Sequence, residues 1–318
     1  MKYCTRVIGC LLVCCSIARA QTTRPAARPF PQIERVMVVS IDGLRPDLAL
    51  RADTPTIHSL LDAGAFTLWA QTTEMSITLP SHVSMMTGVT PKKHRIDWNA
   101  DVPAGRDPYP AVPTLFELAK ANGYTTAVVA GKKKFETFNR PGALDWHSVP
   151  VQDKVEGTEV GQNAVAVIRD HQPQVMFVHF PGVDNAGHSK GWASPEQMAA
   201  IHATDTMLGQ VIAAAKAANT FDHTLLIVTA DHGGQGRVHG PNDPRSRHIP
   251  WIAVGPGVRT NYDLTRAADL KVNTEDTFAT ACYVLGIPPP ADIDGKPILA
   301  IFEKPAELLV GNPKSNGQ

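Results

Sequence analysis

The sequence predicts an α/β protein: a three-layer sandwich in which a mostly parallel sheet is covered by helices on both faces. Three observations carry this expectation. Short, nearly continuous apolar runs, such as Arg35 to Ile41 (RVMVVSI), have the character of strands buried on both faces. Segments of helical spacing alternate with them, the arrangement that joins parallel strands through crossover helices. The 318 residues are 43% hydrophobic and 19% charged, a balance that supports a sizeable core.

The elements follow in order. Residues 1–20 stand apart: Lys2 and Arg6 precede the apolar run Val7 to Ile17, and Ala18-Arg19-Ala20 supplies a small-x-small cleavage motif. This is the pattern of a secretory signal peptide, so the protein is expected to be exported, periplasmic or secreted. The apolar run is too short for a retained membrane-spanning anchor. Lipidation at Cys14 or Cys15 would put Val13 or Cys14 where small residues are favoured. Residues 21–34, rich in Pro, Thr and Arg, read as a flexible tether, and 305–318 as a polar C-terminal tail.

Between them, 35–304 reads as a single domain. Its first strand is 35–41. Thr56 to Ala63 has helical spacing, with Gly64 as C-cap. A helix over 114–121 ends at Asn122-Gly123 and leads into a strand over 124–130. A helix over 158–170 precedes a strand over 174–180. The next helix opens at Ser194, with Pro195 and Glu196 in its first turn, and runs to about Ala218. Strands over 224–229 and 251–254 and a helix over 274–285 complete the set.

Composition narrows the function classes. With 30 basic and 30 acidic side chains the formal charge is zero, so no basic face is expected for a nucleic-acid polymer or an anionic membrane. Cys4, Cys10, Cys14 and Cys15 all lie within the first twenty residues, and only Cys282 remains beyond them. An exported domain without disulfides needs another source of stability, which a large core and bound metals would supply.

In a parallel sheet, ligands bind at the carboxyl ends of the strands. Asp42, Asp184 and the pair Asp231-His232 fall there. Asp184 and His188, four residues apart, can share one face of a turn or helix and grip one ion. Each also has a plain reading, as a turn, cap or surface pair. The stretch Ser76-Ile77-Thr78-Leu79-Pro80-Ser81-His82 opens a helix with Pro in its first turn. Thr78 then sits where exposed N–H groups and the helix dipole favour an anion. Its hydroxyl either caps the helix or, deprotonated by a metal, serves as a nucleophile. Oxygen and nitrogen donors without thiolate suit catalytic Zn, Mn or Fe.

The ordered set IDGLRPD, TLPSH…TG, DNAGHSKG, DHG and HG resembles the alkaline phosphatase superfamily, and within it the type I phosphodiesterase/nucleotide pyrophosphatase family. The resemblance runs from about Val36 to about Leu285. It implies two divalent metal ions, zinc in the first instance and otherwise manganese or iron. One would be held by Asp184, His188 and His239, with His248 the competitor for the last place. The other would be held by Asp42, Thr78, Asp231 and His232. Asn99 matches the asparagine that bonds a phosphate oxygen, although Arg95 stands where the family usually has glycine. The implied reaction is attack by Thr78 on a small phosphate ester, with the Leu79 N–H and Asn99 stabilising the added charge. A phosphothreonine intermediate follows, displaced by water on the second metal.

Two departures bear on substrate. Nucleotide-cleaving members carry an aromatic just after the nucleophile, here Leu79, and another five residues before the metal aspartate, here His179. Leu and His can still line a pocket, but the departure puts a flat base clamp in doubt. Lys132 and Lys134 resemble the paired cations of phosphonoacetate hydrolase and of threonine-dependent monoesterases, which raises monoesters or phosphonates as an alternative. Their plain reading is a solvated basic loop. The nucleophile motif lacks a formylglycine precursor, which argues against a sulfatase, and the chain has no room for the inserted domain of the phosphoglycerate mutase relatives. A non-catalytic metal- or phosphate-binding relative would be expected to have lost Thr78 or a ligand, and all seven positions are filled. Nothing in the sequence fixes the oligomeric state.

Overall fold

Eight strands form one sheet in the computed structural model, which describes residues 28–303 except 101, 153 and 154. The expected signal peptide, residues 21–27 of the tether and the polar tail lie outside the described residues; the rest of the tether is not loose as expected, since Phe30 and Ile33 are buried in the core. The strands are β1 (Arg35–Ile41), β2 (Ala65–Gln71), β3 (Thr126–Ala130), β4 (Trp146–Ser148), β5 (Val175–Phe180), β6 (Thr224–Thr229), β7 (His248–Val254) and β8 (Tyr262–Asp263). Their spatial order is β4-β3-β5-β1-β6-β7-β2-β8. The run from β4 to β6 is parallel throughout, whereas β7 is antiparallel to both β6 and β2. Residues of β3, β5 and β6 are buried along their whole length, as apolar runs covered on both faces require.

The helices are α1 (Pro46–Arg51), α2 (Pro55–Ala63), α3 (Thr78–Thr87), α4 (Pro91–His94), α5 (Leu115–Ala121), α6 (Gly157–His171), α7 (Gly182–Lys190), α8 (Pro195–Ala217), α9 (Pro244–Arg247) and α10 (Asp276–Leu285). They gather in two groups. In one, α8 packs on α2, α6 and α7, and in the other α3, α5 and α10 pack together. The sheet lies between, giving the three expected layers. Local chemistry sets the boundaries. Thr114 and Glu117 close a reciprocal capping box at the start of α5, and the Ser194 hydroxyl accepts from the Gln197 N–H at the start of α8.

Gly64 is the C-cap residue of α2, as expected, with an extended rather than left-handed backbone that runs straight into β2. Glycine is required there for closeness instead, since a Cβ would stand 2.2 Å from the Ala253 carbonyl oxygen of β7. The sequence reading contains no strand at β2, which follows α2 without a polar break and buries only Ala65, Thr67 and Ala70. The strand expected at 251–254 begins three residues earlier, at His248, and crosses Pro250. Proline has no N–H for the ladder, and the β2 register shifts between Thr67 and Ala70, opposite Pro250.

Candidate active site

Four adjacent parallel strands, β3-β5-β1-β6, deliver the chemistry at their carboxyl ends. Lys132 follows β3, Asp184 enters α7 after β5, Asp42 follows β1, and Asp231-His232 follows β6. Thr78 is the first residue of α3. His188 lies one turn after Asp184 on α7, and His239 comes from the loop before α9. Residues far apart in sequence thus meet because their strands are neighbours.

Each of the three carboxylates divides its oxygens in the same way. Asp42 Oδ2 accepts from Lys132 Nζ at 2.7 Å and faces His179 Nε2 at 2.9 Å. Asp184 Oδ2 accepts from the same ammonium at 2.7 Å, and Asp231 Oδ1 accepts from the Gly43 N–H at 3.1 Å. The other oxygen of each, Asp42 Oδ1, Asp184 Oδ1 and Asp231 Oδ2, is buried without a hydrogen-bond partner. A buried, unpartnered carboxylate oxygen costs free energy unless something cationic meets it.

Those oxygens face imidazoles. Asp184 Oδ1 is 3.3 Å from His188 Nε2 and 3.9 Å from His239 Nε2. Asp42 Oδ1 and Asp231 Oδ2 stand 3.4 and 3.2 Å from His232 Nε2. In all three rings the Nδ1–H is donated to a main-chain carbonyl: Arg237 O at 2.9 Å from His188, Ser76 O at 2.8 Å from His239, and Gly233 O at 2.9 Å from His232. A carbonyl can only accept, so in the neutral form of each ring Nε2 is left with its lone pair, as a metal ligand needs. Thr78 Oγ1 joins the group, 3.3 Å from His232 Nε2.

The charges agree with this reading. Burial pushes Asp42 up, but the Lys132 ammonium and His179 outweigh it and hold the carboxyl well below the usual range. Asp184 is lowered too, as Lys132 overcomes burial and the Asp42 charge. Asp231 goes the other way, raised well above the usual value by burial and by Asp42 and Asp184. Burial and His239 bring His232 down to about 4, so it is neutral at pH 7. One ammonium does not balance three carboxylates, and the donor set fits divalent cations. Among the described residues, Asp184, His188 and His239 form one group with donors within 4.8 Å, and Asp42, Asp184 and His232 another. The first is the trio implied for one ion. The second shares Asp184 where Asp231 was implied, while Asp231 Oδ2 meets the same His232 nitrogen.

Other expected residues fall as follows. Thr78 does not cap α3: Ile77 is the N-cap residue and no side chain caps the turn. His248 is held away from Asp184, stacked on Trp69 at a centroid distance of 4.0 Å. Asn99 Oδ1 accepts from the Leu79 N–H at 2.9 Å and from Lys134 Nζ at 3.0 Å. The Leu79 amide, expected to face phosphate, is therefore taken by Asn99, whose NH2 group remains to donate. Lys134 also bonds the Asn99 carbonyl oxygen. Lys132, expected to bind substrate beside it, instead spends two of its three N–H groups on Asp42 and Asp184. The basic loop is not simply solvated, because both lysines turn inward. His179 lines no pocket, since it is wholly buried behind Asp42. The sequence motif assigns His82 no role, and its ring joins Thr78 O (2.8 Å) to Ser40 Oγ (2.7 Å). Beside the site opens a cleft of about 630 Å³ lined by Leu79, Trp98, Asn99, Tyr109, Lys132 and Lys134 among others.

The sheet order and the donor set define an α/β protein with a candidate metal centre at the carboxyl ends of its parallel strands. The sequence model for type I phosphodiesterase / nucleotide pyrophosphatase matches residues 36–238, and the chain belongs to that family. It is 26% identical over 215 residues to an uncharacterized pyrophosphatase/phosphodiesterase of Schizosaccharomyces pombe, covering 62% of this chain and 44% of that protein. It is 24% identical over 225 residues to human ectonucleotide pyrophosphatase/phosphodiesterase family member 5, covering 64% and 45%. The matches thus span less than half the length of these relatives. In fold, the chain is similar to the solved human ectonucleotide pyrophosphatase/phosphodiesterase 5, with a TM-score of 0.71 at 16% identity over 85% of this chain and 100% of that one. It is also similar to the phosphonate monoester hydrolase of Agrobacterium radiobacter, with a TM-score of 0.64 at 17% identity over 85% and 77%.

Proposed function

We propose that the protein is an exported phosphoric ester hydrolase with two divalent metal ions, acting on small phosphodiesters or pyrophosphates through a phosphothreonine intermediate. The observation that carries this is the convergence of three unpartnered carboxylate oxygens and three tautomer-fixed imidazoles, one of which, His232, lies 3.3 Å from the Thr78 hydroxyl. Ions held by Asp184, His188 and His239, and by Asp42, Asp231 and His232 with Thr78, would lower the hydroxyl pKa and neutralise the phosphate. Thr78 Oγ1 attacks phosphorus, the bond to the leaving oxygen breaks, and water later hydrolyses the threonine ester. The Asn99 amide, its oxygen saturated by Leu79 and Lys134, holds a non-bridging phosphate oxygen. The threonine role has a parallel in the murine ectonucleotide pyrophosphatase/phosphodiesterase 5, solved as an inactive threonine-to-alanine form in complex with AMP. Export rests on the pattern of residues 1–20. Among the described residues, no helix is long and apolar enough to cross a membrane.

A phosphomonoester or phosphonate substrate is the second reading, favoured by Lys134 in the cleft and by the absence of an aromatic at Leu79 and His179. One experiment serves both. The purified protein should contain about two transition ions per chain by elemental analysis, and chelation should abolish turnover. Thr78→Ala should lower kcat by several orders of magnitude with the fold intact, while Thr78→Ser keeps measurable activity. Turnover by the chelated protein, or by Thr78→Ala at the wild-type rate, would sink the reading. On a panel of p-nitrophenyl mono- and diesters, a Lys134→Ala loss of about 1.5–3 kcal/mol in kcat/KM confined to monoesters would move the assignment to the second reading.

A further inference from the structure

A buried lysine needs an explanation, because an ammonium removed from water costs several kcal/mol unless it is paired. Lys132 is only 8% exposed, and its Nζ lies 2.7 Å from both Asp42 Oδ2 and Asp184 Oδ2. These carboxylates come from the ends of neighbouring strands, β1 and β5, and in the reading above they belong to different ions. The oxygens that Lys132 takes are not the ones that face His188, His239 and His232. It grips Oδ2 of each aspartate and leaves Oδ1 of each without a partner. Asp42 Oδ2 is held from a second direction by His179 Nε2, at 2.9 Å. His179 in turn packs against Phe135, three residues after Lys132, with ring centroids 4.2 Å apart.

We propose that Lys132 is a positioning residue of the metal centre: a bracket that ties the rear oxygens of Asp42 and Asp184 and so fixes the two ion positions as one unit, with His179 as its partner on Asp42. The inference rests on the two-metal reading. Two ionised carboxylates this close repel each other, and each could rotate to bring either oxygen forward. A shared ammonium removes both freedoms, presenting one defined oxygen per aspartate to the donor cluster. Partners behind metal ligands are worth about 10–100-fold in ion affinity. Lys134 is the natural contrast, since it lies in the same loop but touches Asn99 and neither carboxylate.

The test is ion affinity, read by competition of the full chain with a chromophoric chelator for Zn²⁺ and Co²⁺, together with the Co²⁺ visible spectrum. Lys132→Met should weaken the binding of both ions by about 10–100-fold and change the Co²⁺ band intensity. His179→Phe should weaken one ion only, and Lys134→Met should leave both affinities within about threefold of wild type, having no contact with a ligand. Lys132→Met with wild-type or tighter affinity would mean that the ammonium merely repels the ions, and the bracket would be overturned. An equal loss in Lys134→Met would overturn it too, by assigning the effect to the general field of the loop. Circular dichroism controls for folding. If Lys132→Met does not fold, His179→Phe decides, because it removes a single contact to Asp42, and unchanged affinity there rejects the bracket. Failure of the two-metal reading looks different: the wild-type chain itself would bind fewer than two ions.

Discussion

At Gly43 the chain turns with φ at +75° directly after Asp42, and its N–H reaches across the site to Asp231. A Cβ at this position would stand 2.9 Å from the Asp184 Cα, so alanine meets both a left-handed backbone and a main-chain atom that cannot swing away. Gly43→Ala should cost about 2–5 kcal/mol, combining roughly 1–2 for the backbone with 1–3 for overpacking. Denaturant unfolding would measure it, and a change below about 0.5 kcal/mol would mean the turn can relax. Single residues of this site were legible where a motif carried them: Asp42, Thr78, Asp184, His188, Asp231 and His232 all reach one centre. The partners behind them were not. No sequence pattern says that His179 will hydrogen-bond Asp42 or that Lys132 will take two carboxylates, because both depend on which strands become neighbours.

Helix α4 is four residues long and is held by a histidine. His94 Nε2 lies 3.0 Å from Ser84 Oγ on α3, and its Nδ1 accepts the Ile96 N–H at 3.1 Å. The ring is thus built into the α3–α4 contact in its neutral form, and burial lowers its pKa from 6.5 to about 4. A depressed histidine gives a definite sign. The unfolded chain takes up the proton first, so stability is complete above about pH 6.5 and is lost as the pH falls toward and through 4. The loss amounts to about 3 kcal/mol, at about 1.4 kcal/mol per pH unit. In His94→Gln that part of the acid dependence should vanish, so its stability deficit relative to wild type should shrink between pH 7 and 4. A constant deficit would show that His94 does not titrate with unfolding. At this scale the sequence was most informative where caps are local, as at Thr114 and Ser194. It was least informative for β2, whose pairing with β7 is set by distant partners and by the bulge opposite Pro250.

Across the whole molecule, the parallel-sheet rule pointed to the carboxyl ends of the strands, where these side chains do meet, but strand order was hidden. Chain order runs Asp42, Lys132, Asp184, Asp231, whereas the sheet sets β3 beside β5, then β1, then β6. That permutation lets one lysine span two aspartates, and it brings His239 rather than His248 to Asp184. The three imidazoles carry a further consequence, for mutational tolerance. Their tautomers are fixed by main-chain oxygens of Ser76, Gly233 and Arg237, not by side chains. An alanine scan would therefore pass over Arg237, whose side chain can be cut away without moving the carbonyl that orients His188. Deleting residue 237 outright would displace that carbonyl and alter the lead-in to His239, so ion binding should collapse in the deletion and persist in Arg237→Ala, as an ion titration of the two would show. At Arg237 the loop before α9 can change its side chain but not its length, and an insertion or deletion there is the kind of change that would disable the proposed metal centre while leaving every ligand in the sequence.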